Sequence, residues 1–230
     1  EIAEEAERLG LVVAMGTQNR FHESLIDLRQ AVHSGEVGQV LNVVANLGEH
    51  ISDYHPGEDY RQSYTARADL GGGVLLTQIH QIDYLNWIFG PFTHVSAVGG
   101  KHSDLEIDVE DNITYLLRTA DNVPVVGHLD YLQRPKRVTL EVFGTSCTYK
   151  WNYFTNRLTK IQATIQTNEK HNKSQFDRNA LFVQSMEDFL SAIASGAKPR
   201  STLKDGIDAV KIADAIRKAF KTGQTQAIIP

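Results

Sequence analysis

Leu70-Gly71-Gly72-Gly73-Val74-Leu75-Leu76-Thr77-Gln78-Ile79-His80-Gln81-Ile82-Asp83-Tyr84-Leu85-Asn86-Trp87-Ile88-Phe89-Gly90, followed by Pro91, is the stretch on which the reading of this chain turns. Leu75, Ile79, Ile82 and Phe89 recur at helical spacing behind the three glycines, and Gly90-Pro91 stops the run, which predicts one helix between Gly73 and Gly90. Beyond Pro91 the apolar period drops to two. Strands are predicted at His94–Gly100, Asn112–Thr119, Val123–Leu132, Arg137–Gly144 and Ser146–Trp151. In the clearest of them Val138, Leu140 and Val142 alternate with Thr139, Glu141 and Phe143. Short turns at Ala120-Asp121-Asn122 and Gly144-Thr145 make these hairpins, hence a largely antiparallel sheet.

Upstream, Glu1–Gly10 has a helix pattern and Leu11–Gly16 an apolar strand pattern, the αβ ending of a parallel sheet unit. Phe21–Ser34 reads as a helix with Leu25, Leu28 and Val32 inward, and Gly38–Leu47 as a strand. Gly48–Leu70 is too polar for a core and too long for an ordinary connection, so it is a functional loop or a floppy one; its run into Gly71–Gly73 favours the first. Leu158–Gln175 reads as a polar excursion or mobile loop. Two helices follow, one with Phe182, Met186, Phe189 and Ile193 on its inward stripe and a stop at Gly196. The other opens on a capping box, Thr202 with Asp205, and buries Ala209, Ile212, Ala213, Ile216 and Phe220. The fold class that results is α/β (α+β): a mixed, mostly antiparallel open sheet with helices on one face.

The chemistry of the central helix lies on a second stripe, Leu76, His80, Asp83 and Trp87. His80 and Asp83, at i and i+3, are neighbours there, so the carboxylate can orient the imidazole or both can reach one substrate. The competing assignment is structural, since a His on a half-apolar helix is commonly a satisfied core residue. Free N–H groups behind three glycines suit an anionic or polar ligand. The 230 residues carry 23 Lys and Arg against 28 Asp and Glu, a formal charge of −5, with no basic cluster, which argues against nucleic acid as a partner. One cysteine, Cys147, allows neither an intrachain disulfide nor a cysteine zinc cluster, and no apolar run is long enough to span a membrane. Those features suit a reducing, cytoplasmic setting, with Cys147 an inert strand residue.

Gly71-Gly72-Gly73, His80-Gln81-Ile82-Asp83, Trp87, Gly10-Leu11-Val12-Val13-Ala14-Met15-Gly16-Thr17-Gln18-Asn19-Arg20-Phe21, Ser34-Gly35-Glu36-Val37-Gly38, Val109-Glu110-Asp111 and Ser195-Gly196-Ala197-Lys198-Pro199 together resemble the C-terminal domain of the glucose-fructose oxidoreductase / inositol dehydrogenase / MocA family. The resemblance implies residues 1–20 as a remnant of a Rossmann domain, its last helix and strand, and residues 21–230 as a substrate-binding and oligomerising domain. It implies NAD or NADP in a full-length parent. This sequence has neither the family's GxGxxG loop nor its Glu-Lys-Pro tripeptide, so no tight cofactor binding is expected here and no residue is assigned to the cofactor. The resemblance places His80 as the acid/base on a substrate hydroxyl. Thr77 or Leu76 stands near where many members carry an Asp, and Thr77 can hydrogen-bond a hydroxyl but cannot act as a base.

Asp59-Tyr60-Arg61 and Tyr64-Thr65-Ala66-Arg67 resemble a subgroup acting on nucleotide-linked or acidic sugars. Arg61 and Arg67 would clamp an anion and Tyr60 or Tyr64 stack on a sugar, unless the arginines pair with Glu58, Asp59 or Asp69 on the surface. Asp83 is either a substrate residue or a helix anchor, and Arg20 is read as structural. Expected partners are thus a sugar or nucleotide sugar and a second copy, as a homodimer or homotetramer through the sheet, with Val138, Leu140 and Val142 supplying uncovered apolar surface. One alternative is a non-catalytic, self-associating or carbohydrate-binding module. Another is a metal hydrolase using His80 and Asp83 with His50 or His55, although His22, His33, His94, His102, His128 and His171 show no metal spacing and no metal is expected.

Overall fold

A computed structural model describes residues 2–162, 167–171 and 176–229. Its described strands form one sheet in the order β8-β7-β6-β5-β1-β4-β3-β2-β9. In chain order these are Val40–Gly48 (β1), Phe92–Gly100 (β2), Asn112–Thr119 (β3), Pro124–Asp130 (β4), Arg137–Gly144 (β5), Cys147–Asn152 (β6), Arg157–Gln162 (β7), Thr167–His171 (β8) and Gln226–Ala227 (β9). The β1/β4 pair is parallel and the other pairs antiparallel, the mixed, mostly antiparallel sheet that the alternating pattern predicts. The helices are Ile2–Leu9 (α1), Glu23–His33 (α2), Val74–Thr77 (α3), His80–Phe89 (α4), Arg178–Ser195 (α5) and Leu203–Thr222 (α6).

Period two decides which sheet face is covered. Val43, Ala45, Ile113, Tyr115, Leu117, Val125, Leu129, Leu140, Val142, Tyr149 and Trp151 are buried beneath the helices, where Trp151 Nε1 donates to Ser24 Oγ of α2 at 2.9 Å and Tyr115 OH donates to Gln81 Oε1 of α4 at 2.7 Å. Val138, Leu140 and Val142 thus belong to the core. Uncovered apolar residues stand on the opposite face: Val44, Val98 and Leu116 are exposed, and Leu116 and Val44 flank Val126 directly across β3, β4 and β1.

Three other expectations are corrected. Leu11–Gly16 forms no strand; its pairing is a single bridge from Ala14 to Thr202, because no other described edge lies alongside it. Within Leu158–Gln175 the chain pairs as β7 and β8, backbone bonds to β6 outweighing its polar composition; residues 163–166 and 172–175 lie outside those described. Finally, α5 buries Leu181 and Ala192, while Phe182, Met186 and Ile193 point away from the core. Periodicity reports an amphipathic helix without saying which side meets the sheet. For α6 the stripe Ala209, Ile212, Ala213 and Ile216 is buried, and its Thr202–Asp205 capping box is present.

The loop before the glycines is ordered. It runs as short 3-10 turns at Ile51–Asp53, Tyr60–Gln62, Tyr64–Ala66 and Ala68–Leu70, with His50, Asp59 and Ser63 each accepting a backbone N–H two residues on. Such local side-chain capping replaces the ladder bonds that a loop lacks.

Candidate active site

Gly72 and Gly73 let loop and helix approach. A methyl on Gly72 would meet the carbonyl oxygens of Tyr64, Thr65 and Arg67, and Gly73, at φ +104, faces the Glu110 carboxylate. Glu110 also fills the role expected of a ligand: its carbonyl accepts from Val74 N at 3.0 Å and its Oε1 from Leu75 N at 3.3 Å. The start of α3 is therefore capped by the protein's own carboxylate and offers a phosphate nothing. Gly72→Ala is expected to destabilise the chain by about 1–3 kcal/mol, as overpacking does. An unchanged midpoint in chemical denaturation would show instead that the loop moves aside.

The predicted single helix is broken at Gln78 (φ −103, ψ 26), where its amide donates to Tyr54 OH and, at 3.2 Å, to the Asp130 carbonyl. These bonds draw the backbone out of the α ladder, so His80 starts a new helix. His80 is partly buried and its Nδ1 is fully buried with no hydrogen-bond partner among the described residues. Burial, with the charge of Arg178 adding to it, lowers its pKa below 6.5 and keeps the imidazole neutral, as a proton acceptor must be.

Asp83 does not orient that imidazole. Both its oxygens hold Arg20, with Nε to Oδ2 at 3.0 Å and Nη2 to Oδ1 at 2.7 Å, in a pair only 2% and 1% exposed. A buried guanidinium needs its counter-charge more than a half-buried imidazole does. Arg20 also reaches Asp205 at 3.2 Å and the Arg200 carbonyl at 3.3 Å, so it ties the first segment to α4 and α6 and is structural as read. Thr77 Oγ1 accepts from Tyr131 OH at 2.7 Å, a hydroxyl that also lies 3.2 Å from the Thr65 carbonyl. With the single Tyr131 proton given to Thr77 Oγ1, Thr77 holds that hydroxyl beside the loop and retains its own O–H as a donor.

The two arginines of the loop are paired on the surface. Arg61 grips Asp59 at 2.8 Å and Glu106 at 2.9 Å, Arg67 grips Asp69 at 2.6 Å, and Tyr60 OH accepts from Glu106 N at 3.3 Å. Arg61 and Arg67 line an open cleft of about 530 Å³ with Lys101 and Asp108, apart from the residues that hold Thr77. His50 is turned to its own Ser52 at 2.9 Å, and among the described residues no group of three His, Cys, Asp or Glu can hold a metal. Cys147 is buried at the start of β6, its thiol pushed up by burial.

Sequence reasoning missed Arg178, whose charge acts on His80, and it missed the Tyr54–Gln78 and Glu110 contacts. No local signal marks them, because each joins segments distant in sequence.

The GFO/IDH/MocA C-terminal domain family model matches residues 25–150. Trans-1,2-dihydrobenzene-1,2-diol dehydrogenase of Bos taurus is 28% identical over 120 residues, covering 51% of this chain and 33% of that protein. Inositol 2-dehydrogenase of Salmonella typhimurium is 22% identical over 233 residues, covering 94% of this chain and 62% of that protein. The chain thus spans between one third and about three fifths of the curated relatives it matches. Among solved structures, levoglucosan dehydrogenase in complex with NADH and levoglucosan superposes with a TM-score of 0.84 at 18% identity, over 96% of this chain and 67% of that one. Aldose-aldose oxidoreductase from Caulobacter crescentus complexed with glycerol gives 0.83 at 21% identity, over 96% and 65%. That likeness is one of fold. With the family match covering more than half its length, the chain belongs to the GFO/IDH/MocA family through its C-terminal domain.

Proposed function

We propose that this chain is the substrate-binding part, residues 21–230, of an NAD(P)-dependent oxidoreductase of sugars or related polyols, with His80 as acid/base. The observation that carries the proposal is His80 itself: a neutral imidazole at a helix start, with Nδ1 buried and unpaired among the described residues. Oxidation of an alcohol must remove the hydroxyl proton as the carbinol hydrogen departs as hydride, and a positioned neutral imidazole supplies the acceptor. Thr77 donates to a second hydroxyl, while Tyr131 and Gln78 hold the segment that carries it. Tyr60, Arg61 and Arg67 remain the proposed contacts to a nucleotide or acid group. Asp59, Glu106 and Asp69 already balance both arginines, so an anion there would first displace a carboxylate.

The relatives' dehydrogenase names and the NADH complex support a nicotinamide acceptor. The residues present do not fit its pyrophosphate, because Glu110 occupies the helix start behind the glycines. No micromolar binding of NAD or NADP to these 230 residues is therefore expected in isothermal titration. Tight binding would mean that a phosphate displaces Glu110. The direct test of the function supplies an enzyme containing this chain with NAD or NADP and a panel of neutral, acidic and nucleotide-linked sugars and polyols, and follows nicotinamide absorbance. No turnover across the panel would favour the alternative, a non-catalytic carbohydrate-binding or self-associating module.

Self-association belongs to the same proposal. The open sheet face, with its Val44, Val126 and Leu116 row, is an apolar surface that a second copy covers as a homodimer or homotetramer. Light scattering is expected to give a dimer or larger, and Leu116→Lys to shift it to monomer; a monomeric wild type at high concentration would reject the interface. No described helix is long and apolar enough to cross a membrane, and the one buried free thiol suits the proposed reducing, cytoplasmic setting.

A further inference from the structure

A second cavity, about 340 Å³, lies between the end of α4, the first turns of α6 and the chain that follows β9, and the proposed reaction uses none of its walls. Its volume falls within the roughly 300–1,000 Å³ of small-molecule sites. Phe92 and Ile212, only 4% and 3% exposed, form the floor where β2 meets α6, and Ile228 packs beside them. Ile229 stands at the side, 77% exposed. Apolar walls held open to water are stabilised by any hydrocarbon that covers them.

The polar groups on the rim say what that hydrocarbon carries. Lys204, Asp208 and Lys211 line the same cavity, at i, i+4 and i+7 on one stripe of α6. Lys204 spends its charge on Asp208, whereas Lys211 is exposed and has no ion-pair partner among the described residues. One positive charge is therefore left facing the opening. Asn86, one turn before Gly90, adds a neutral donor: its Oδ1 takes the space that the missing Gly90 side chain leaves, and its amide makes no hydrogen bond among the described residues while remaining open to solvent. The C-terminus of a helix ordinarily repels an anion, but that of α4 is already met. Gly90 N donates to the Asn86 carbonyl at 2.9 Å, Arg29 Nε to the Trp87 carbonyl at 3.2 Å, and His33 Nε2 bonds the Ile88 carbonyl at 2.9 Å. An apolar floor with an unpaired ammonium and a free amide on its rim suits an anion with a hydrocarbon body and disfavours a cation.

We infer that this cavity binds a small amphipathic carboxylate, an alkyl or aryl acid whose charged end faces Lys211 and the Asn86 amide and whose hydrocarbon lies on Phe92, Ile212 and Ile228. The outcome bears on no residue assigned to turnover, so it can fail while the dehydrogenase proposal stands, and the reverse also holds.

The test is an NMR titration of the chain near pH 7 with octanoate below its aggregation concentration. Octan-1-ol and octylammonium serve as neutral and cationic controls with the same body, and acetate as the same head without one. Octanoate is expected to shift resonances of Asn86, Phe92, Ile212 and Ile228 saturably, the two C8 controls to bind about threefold or more weakly, and acetate to give no saturable shift. Lys211→Glu, at an exposed position, should leave the fold intact, weaken octanoate about tenfold and reverse the order, so that octylammonium binds more tightly than octanoate. Asn86→Ala should weaken octanoate about threefold or more while leaving octan-1-ol within twofold. No saturable octanoate shift at the cavity residues, equal affinities for the three C8 probes, or wild-type octanoate affinity in folded Lys211→Glu would each overturn the inference.

Discussion

Replacing His80 by alanine in an enzyme that contains this chain is expected to lower turnover by roughly a hundred- to ten-thousand-fold, the usual range for loss of a positioned acid or base. The Michaelis constant should change much less, because proton transfer matters at the transition state while hydroxyl contacts hold the ground state. The acid limb of the pH profile carries a second signature. A base must be neutral, so activity falls as pH drops through the His80 pKa, which burial and the charge of Arg178 set below 6.5. Arg178→Gln removes the charge contribution and should move that limb to higher pH while leaving the plateau. Steady-state kinetics over pH on the three proteins checks both points. Near-normal turnover in His80→Ala would make His80 a packing residue.

Asp83→Ala is expected to cost about 3–5 kcal/mol, because it strands a buried guanidinium. Arg20 would keep only Asp205 at 3.2 Å and the Arg200 carbonyl at 3.3 Å, on its Nη1 side, and lose both bonds from Nε and Nη2. Chemical denaturation of the chain is the measurement, with Arg20→Met, Asp83→Leu as a paired replacement that should recover most of the loss. A substrate-binding Asp83 would give the opposite pattern, unchanged stability with a raised Michaelis constant, and that result would return Asp83 to the active site.

The central segment shows where sequence reasoning reaches and where it stops. Leu75 and Ile82 are fully buried, as their spacing requires, and Phe89 is the last residue of α4 before Gly90-Pro91. The break at Gln78 was not legible, because its cause, Tyr54 and the Asp130 carbonyl, comes from a loop and a strand elsewhere in the chain. The His80/Asp83 pair shows the same limit. Helical geometry puts the two side chains on adjoining positions, but the partner of Asp83 is decided by Arg20, sixty-three residues away.

Periodicity and punctuation by themselves determined helices α1, α2, α5 and α6, strands β1 to β6, the mixed and mostly antiparallel sheet, the capping box of α6 and the stop at Gly90, because each depends on residues within a few positions of one another. Only the tertiary structure decided what each polar or apolar group meets. It set the apolar stripe of α5 outward, gave the glycine-capped helix start to Glu110, neutralised Arg61 and Arg67 with Asp59, Glu106 and Asp69, and left Nδ1 of His80 without a hydrogen-bond partner among the described residues. The physical reason is that patterning follows from local backbone geometry, whereas burial, charge pairing and hydrogen-bond satisfaction are properties of neighbours that the fold brings together from distant parts of the chain.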